Sequence, residues 1–165
     1  MIRSAYVVST LILGVLLQII LTRYLSLFDA SPQVLLLLTV AHGFLFGPLM
    51  GEVVGFFWGV MSDASGVRLF GLNAFLLTFA GYLAGKLRRR VASERPTAQL
   101  AIGLVVTLYY AWGVSNISKL FEESGSRFSY GHVVMEIIFN TLFVTIFFYL
   151  TERWRNLWKL PQEQV

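Results

Sequence analysis

Three carboxylates, Glu52, Asp63 and Glu136, and two histidines, His42 and His132, are the groups whose surroundings could support proton or metal chemistry, because each lies in or beside an apolar stretch. A carboxylate held in lipid costs roughly 3 kcal/mol. It is therefore expected to be partnered or to face an internal cavity, where proton and ion relays are also built. For Glu52 and Glu136 a structural hydrogen bond or a polar contact to a partner is the preferred reading, ahead of a relay. His42 has no second histidine or carboxylate at helical ligand spacing beside it, and His132 is expected at the opposite membrane face. His42 thus reads as a hydrogen-bonded core residue. The chain has no cysteine, which excludes disulfides and thiolate metal sites. No metal or cofactor is expected.

One set of residues hints at phosphate chemistry. Ser126-Arg127, His132 and Glu136, with Arg88 and Arg95-Pro96 elsewhere, faintly resemble the signature of type-2 phosphatidic-acid phosphatases. Those enzymes place a lysine and an arginine on phosphate, a histidine as nucleophile and a second histidine as acid. Here Arg88 stands where the lysine should be, the step from Ser-Arg to His132 is one residue short, and Ser124-Gly125 is not followed by histidine. The two halves also fall on opposite membrane faces. Paired carboxylates for glycosyl or phosphatidyl transfer, a serine–histidine arrangement and a glycine-rich phosphate loop are all missing. The chain does not read as an enzyme.

A stronger pattern is steric. Gly43, Gly47, Gly51, Gly55 and Gly59 recur at every fourth position, and Asp63 takes the next step. Glycine costs a helix about 1 kcal/mol relative to alanine, so the series needs an offsetting gain. Within lipid that gain is close helix–helix approach, since small residues let backbones meet and van der Waals contact drives association. At about 100° per residue the glycines and Asp63 drift about 40° per step and form a slowly winding stripe. Glu52 borders this stripe and is expected to point into the bundle. Asp63 precedes Ala64-Ser65-Gly66 and Gly71-Leu72-Asn73, a setting in which aspartate caps the next element through backbone donors.

The elements that must hold these residues are apolar helices. Of 165 residues 56% are hydrophobic and 13% charged, against about 25% charged in a soluble domain. A mean hydropathy of +0.69 agrees with an all-α, polytopic membrane protein forming a single domain over 1–165. The first apolar run continues into Leu21-Thr22-Arg23 without a small-residue cleavage site and reads as a retained helix. Spans are expected at about 5–22, 33–46, 48–62, 71–86, 98–115 and 131–151. The second and third could merge into one helix of about 45 Å, well beyond a hydrocarbon core of about 30 Å. Gly47-Pro48 at the midpoint, where glycine ends one helix and proline starts the next, favours a tight hairpin and six spans.

With a cytoplasmic start, nine basic residues lie inside (Arg3, Lys86, Arg88, Arg89, Arg90, Arg95, Arg153, Arg155, Lys159) and four outside (Arg23, Arg68, Lys119, Arg127). Five spans with the opposite start give the same division, so charge places the 86–95 loop and the C-terminus inside and leaves the span count to length and Gly-Pro. Six spans put both termini in the cytoplasm. The net charge of +4 is not a nucleic-acid signature, because the basic residues flank spans and would touch anionic lipid of the bilayer. Tyr6, Tyr24, Tyr82, Trp112, Trp154 and Trp158 are expected as interfacial aromatics. The tail from Arg153 to Lys159 is expected to lie along the inner surface.

From Gly51 the sequence reads Gly-x3-Gly-Phe-x2-Gly-x3-Asp, then Gly71 with Asn73-Ala74, then Gly81-Tyr82-x2-Gly85 before a basic run. With Pro32 ahead of the second span, this resembles the rod-shape-determining protein MreD family, most clearly over about 32–90. Glu52 is not part of that pattern. The resemblance implies a noncatalytic bacterial inner-membrane scaffold or regulator of the elongation machinery that makes peptidoglycan. It would bind MreC, a bitopic protein with a periplasmic β domain, and act with RodA, a class-B penicillin-binding protein and, indirectly, MreB. The family is similar in fold to the substrate-binding components of energy-coupling-factor transporters, six-helix proteins that bind vitamins or metals. A transporter subunit of that kind is the rival expectation. It would need an enclosed cavity with convergent polar groups, for which the outer halves offer Asn73, Thr78, Asn116 and Asn140. The expected packing and partner surface comprises Gly43, Gly47, Gly51, Gly55, Gly59, Asp63, Gly71 and Gly81, with Glu52, Arg68 and Glu136 as polar contacts to a partner.

Overall fold

The computed structural model describes residues 2–25, 31–65, 69–88, 96–121 and 130–158. They form six helices, α1 (Ile2–Tyr24), α2 (Val34–Phe46), α3 (Pro48–Ser65), α4 (Leu72–Arg88), α5 (Pro96–Phe121) and α6 (Tyr130–Leu157). Stretches in α1, α5 and α6 (Ala5–Tyr24, Thr97–Ile117 and Val133–Leu157) are long and apolar enough to cross a membrane. The chain is an all-α membrane protein.

The break between α2 and α3 falls at Gly47-Pro48. Gly47 takes φ of 94°, a conformation open to glycine because it has no Cβ. Its N–H donates to the Gly43 carbonyl at 2.9 Å, and Pro48 opens α3, where a missing N–H costs nothing.

At 13 residues α2 is about 20 Å long, shorter than the hydrocarbon layer. It is nevertheless apolar all round, and all its residues except Leu45 are buried. Such a helix belongs in a protein core. Helices α3, α4, α6, α1 and α5 all pack against it. Helix α4 also rests on α3 and α5, and α5 on α6, whereas α1 touches only α2 and α3 extensively.

Backbone groups left free at the ends of so buried a helix need protein partners, as they do wherever water is excluded. At its start the Gln33 N–H donates to Asn140 Oδ1 at 2.9 Å and the Leu35 N–H to Gln18 Oε1 at 3.4 Å. At its end Arg88 Nη1 donates to the Leu45 carbonyl at 3.0 Å.

Two expectations about the ends need correction. Residues 153–157 do not lie along a surface but continue α6, and Arg155 is only 4% exposed. Tyr6 is not an interfacial anchor. It is 1% exposed, ringed by His42, Phe46 and Trp158, because the α1 start leans onto α2 and the end of α6. Tyr24, at the end of α1, and Trp112, within α5, are in contrast well exposed.

Candidate functional site

The glycines of α3 and α4 form a seam. Helix α4 runs antiparallel to α3, so Gly51 meets Gly81, Gly55 meets Leu77, Gly59 meets Ala74, and Gly85 meets Pro48. At each of these glycines a Cβ would sit under 3.0 Å from backbone atoms of the opposite helix, a distance real Cβ atoms essentially never show. Gly43 of α2 joins the seam: its Cβ would strike the Gly81 carbonyl, and its Cα lies beside Gly51. Three main chains therefore converge at Gly43, Gly51 and Gly81. A side chain there would have to move backbone, not a flexible neighbour.

Asp63 closes the far end of the seam. Its Oδ2 accepts the N–H groups of Gly71 and Ala74, each at 3.0 Å, and its Oδ1 accepts that of Asn73 at 3.1 Å. Those of Asn73 and Ala74 are first-turn donors of α4, which have no partner within their own helix, and that of Gly71 lies just ahead of it. A carboxylate at a helix N-terminus also complements the helix dipole. The capping extends sideways, since Asn73 Oδ1 accepts the Tyr110 hydroxyl of α5 at 2.5 Å and Asn73 Nδ2 donates to Ser62 Oγ at 3.4 Å. Gly71 has φ of 97° and nothing within 4 Å of a notional Cβ. Gly47 and Gly71 thus act as turn residues, and the packing contacts belong to the other glycines.

A second polar tie joins α1, α2 and α6 at the same end. Gln33 Nε2 donates to Glu136 Oε1. Gln18 Nε2 donates to the Pro32 carbonyl at 3.3 Å and to Thr22 Oγ1 at 2.9 Å. Glu136 is buried here as a link between helices. At the Gly47 end, His42 is fully buried. Its Nδ1 donates to the Leu38 carbonyl at 2.8 Å, since a carbonyl only accepts, which leaves Nε2 to accept the Tyr6 hydroxyl at 3.3 Å. Trp58 stands edge-on to His42 and donates Nε1–H to the Leu11 carbonyl at 3.3 Å. His42 is therefore a core histidine with both ring nitrogens engaged. Among the described residues no cluster of three or more histidines and carboxylates could hold a metal ion.

Glu52 departs from its expected direction. It does not point into the bundle but lines an open groove of about 600 Å³ on the outer side of the α3–α4 pair. Phe56, Gly71, Ala74, Phe75, Thr78, Phe79 and Tyr82 complete the lining. The reason is angular. The glycine stripe is the contact line with α4, so a residue flanking it falls on the lip of the seam. Glu52 makes no hydrogen bond or ion pair with the described residues. The nearby Lys86 instead donates to Tyr82 Oη at 3.2 Å. Arg68 lies outside the described residues.

Sequence reasoning missed several residues that the structure uses. Gln18, Asn140 and Arg88 satisfy backbone groups at the ends of α2, Gln33 ties its start to Glu136 of α6, and Asn73 ties α4 to α5. Polar side chains at matching depth in separate apolar spans were the available signal. Gly85 was seen within the pattern, but its contact with Pro48 was not.

The fold and these ties define an all-helical membrane protein whose best-formed features are steric and structural. A family profile, rod shape-determining protein MreD, matches residues 1–154. The chain belongs to the MreD family, and membership implies a role in determining rod shape. No curated protein and no solved structure matches the chain.

Proposed function

We propose that this protein is a noncatalytic scaffold of the bacterial inner membrane that holds components of the cell-elongation machinery. Its partners in this reading are an MreC-like bitopic protein, RodA and a class-B penicillin-binding protein, with MreB reached indirectly. Six spans and two cytoplasmic termini complete it. The observation that carries the reading is the family match over nearly the whole chain. The α2–α3–α4 unit supports it, because Gly43, Gly51, Gly55, Gly59 and Gly81 are occupied by the chain's own backbone. The glycine stripe is therefore a rigid internal frame, and partners would dock on the apolar faces outside it. Basic residues gather at the Gly47 end, where Lys86, Arg88, Arg153 and Arg155 lie, which suits a cytoplasmic side there. A scaffold regulates by binding one state of a partner better than another.

Isolation of the tagged protein in mild detergent tests this reading. An MreC-like chain should co-isolate in stoichiometric yield, and deletion of the gene from a rod-shaped host should round the cells. A purified protein that lacks such a partner but retains a vitamin or a metal would overturn the scaffold in favour of a transporter subunit.

A further inference from the structure

We infer that the groove beside the α3–α4 seam seats one apolar transmembrane helix of another protein, and that this helix presents a lysine or arginine to Glu52. The inference rests on the scaffold reading and names the surface and the chemistry of its partner.

Shape provides the first argument. From Ala74 to Tyr82 the α4 part of the lining runs about 12 Å, just over two helical turns. Thr78 lies along this stretch, and Phe75, Phe79 and Phe56 are exposed beside it. The Thr78 hydroxyl donates to the Ala74 carbonyl at 2.6 Å, so this part of the groove presents no unmet donor. An apolar helix fits between such walls by van der Waals contact, the force that joins helices in lipid.

Charge provides the second, and it selects the occupant. Glu52 is the acidic residue of the groove and has no partner among the described residues. The two cations of α4 among the described residues are otherwise engaged, Lys86 on Tyr82 and Arg88 on the Leu45 carbonyl. An acyl chain would leave the carboxylate unpaired in hydrocarbon, and a lipid phosphate would repel it. A basic side chain on a docked helix neutralises it, as intramembrane charges are generally found paired. Tyr82 and the cation-bearing end of α4 lie next to Glu52, so the basic residue of the partner must approach near the Gly47 end of the groove.

The test uses the full-length protein in native membranes of a rod-shaped host. A photo-crosslinking phenylalanine analogue replaces Phe75, or Leu142 on the exposed face of α6 as an off-groove control. The expected adduct at position 75 is a single spanning segment with a lysine or arginine near one end, absent at position 142. Glu52→Lys should lower that adduct about tenfold or more, because juxtaposed like charges repel. Reversing the basic residue of the captured segment to glutamate should restore it. Glu52→Gln checks folding: its thermal melt should match the unsubstituted protein, since Glu52 has no partner to lose among the described residues. Adducts only with lipid, adducts with a second copy of this chain, or failure of the charge swap would overturn the inference. If an MreC-like chain still co-isolates while position 75 captures no spanning segment, the surface is wrong and the scaffold stands. If nothing co-isolates, both fall.

Discussion

The α3–α4 pair and helix α1 solve the same problem, holding to neighbours in lipid, by opposite means. In the pair, glycines bring main chain against main chain, and a Cβ at Gly51, Gly55, Gly59 or Gly81 would collide with backbone. Helix α1 also carries a glycine at a contact, but Gly14 faces the side chains of Leu38 and Trp58, with notional Cβ distances of 3.0 and 3.1 Å. Large apolar residues of α1, among them Ile12, Leu16 and Ile19, remain half exposed. One region is a rigid frame whose geometry is set by the absence of side chains. The other is an ordinary lipid-facing helix leaning on it.

The contrast can be broken most severely at the seam. Gly81→Leu should abolish folding, because four extra carbons have no space where three backbones converge. The expected readout is loss of the monodisperse species in detergent and loss of rod shape on complementation. A wild-type melt with leucine at 81 would end the frame interpretation.

Asp63→Ala should be next in size. It strips three backbone N–H groups of a charged acceptor, for a cost of about 2–3 kcal/mol, and should lower the unfolding midpoint clearly. Asp63→Asn should recover part of the loss, since one oxygen remains. Equal midpoints for Ala and Asp at 63 would show that the cap carries no stability.

The smallest effect is expected in α1. Gly14→Ala must displace Leu38 and Trp58 by a few tenths of an ångström, against a helix-propensity gain of about 1 kcal/mol. The midpoint should stay nearly unchanged. A collapse as large as that of Gly81→Leu would erase the distinction between the two regions.

Much of the architecture could be read from residue order. Six apolar segments became six helices, with the Gly47-Pro48 break where glycine and proline chemistry requires one. Helix α5 starts two residues before the expected 98–115 segment and ends six after it, and α6 ends six residues after 151, because Pro96 can open a helix and the basic end of α6 stays helical. The Asp63 cap was expected from its place before a glycine-containing turn, and the structure supplies its donors. The placement of Arg155 and Tyr6 was not readable, since both types usually mark an interface. Nor was the role of Gln18 and Asn140, whose partner is the buried start of a helix distant in sequence.

The sequence by itself determined what is local: helix number, the glycine–proline break, the four-residue spacing of small side chains and the presence of carboxylates among them. Backbone geometry and short-range sterics encode these directly. Only the tertiary structure decided which sector of each helix meets protein and which meets lipid. It buried α2 on all sides, filled the glycine stripe with α4 and turned Glu52 outward to an open groove. The physical reason is that lipid tails are as apolar as a protein core, so hydropathy does not distinguish the two faces. Close approach and hydrogen-bond satisfaction make that distinction, and both are properties of paired helices.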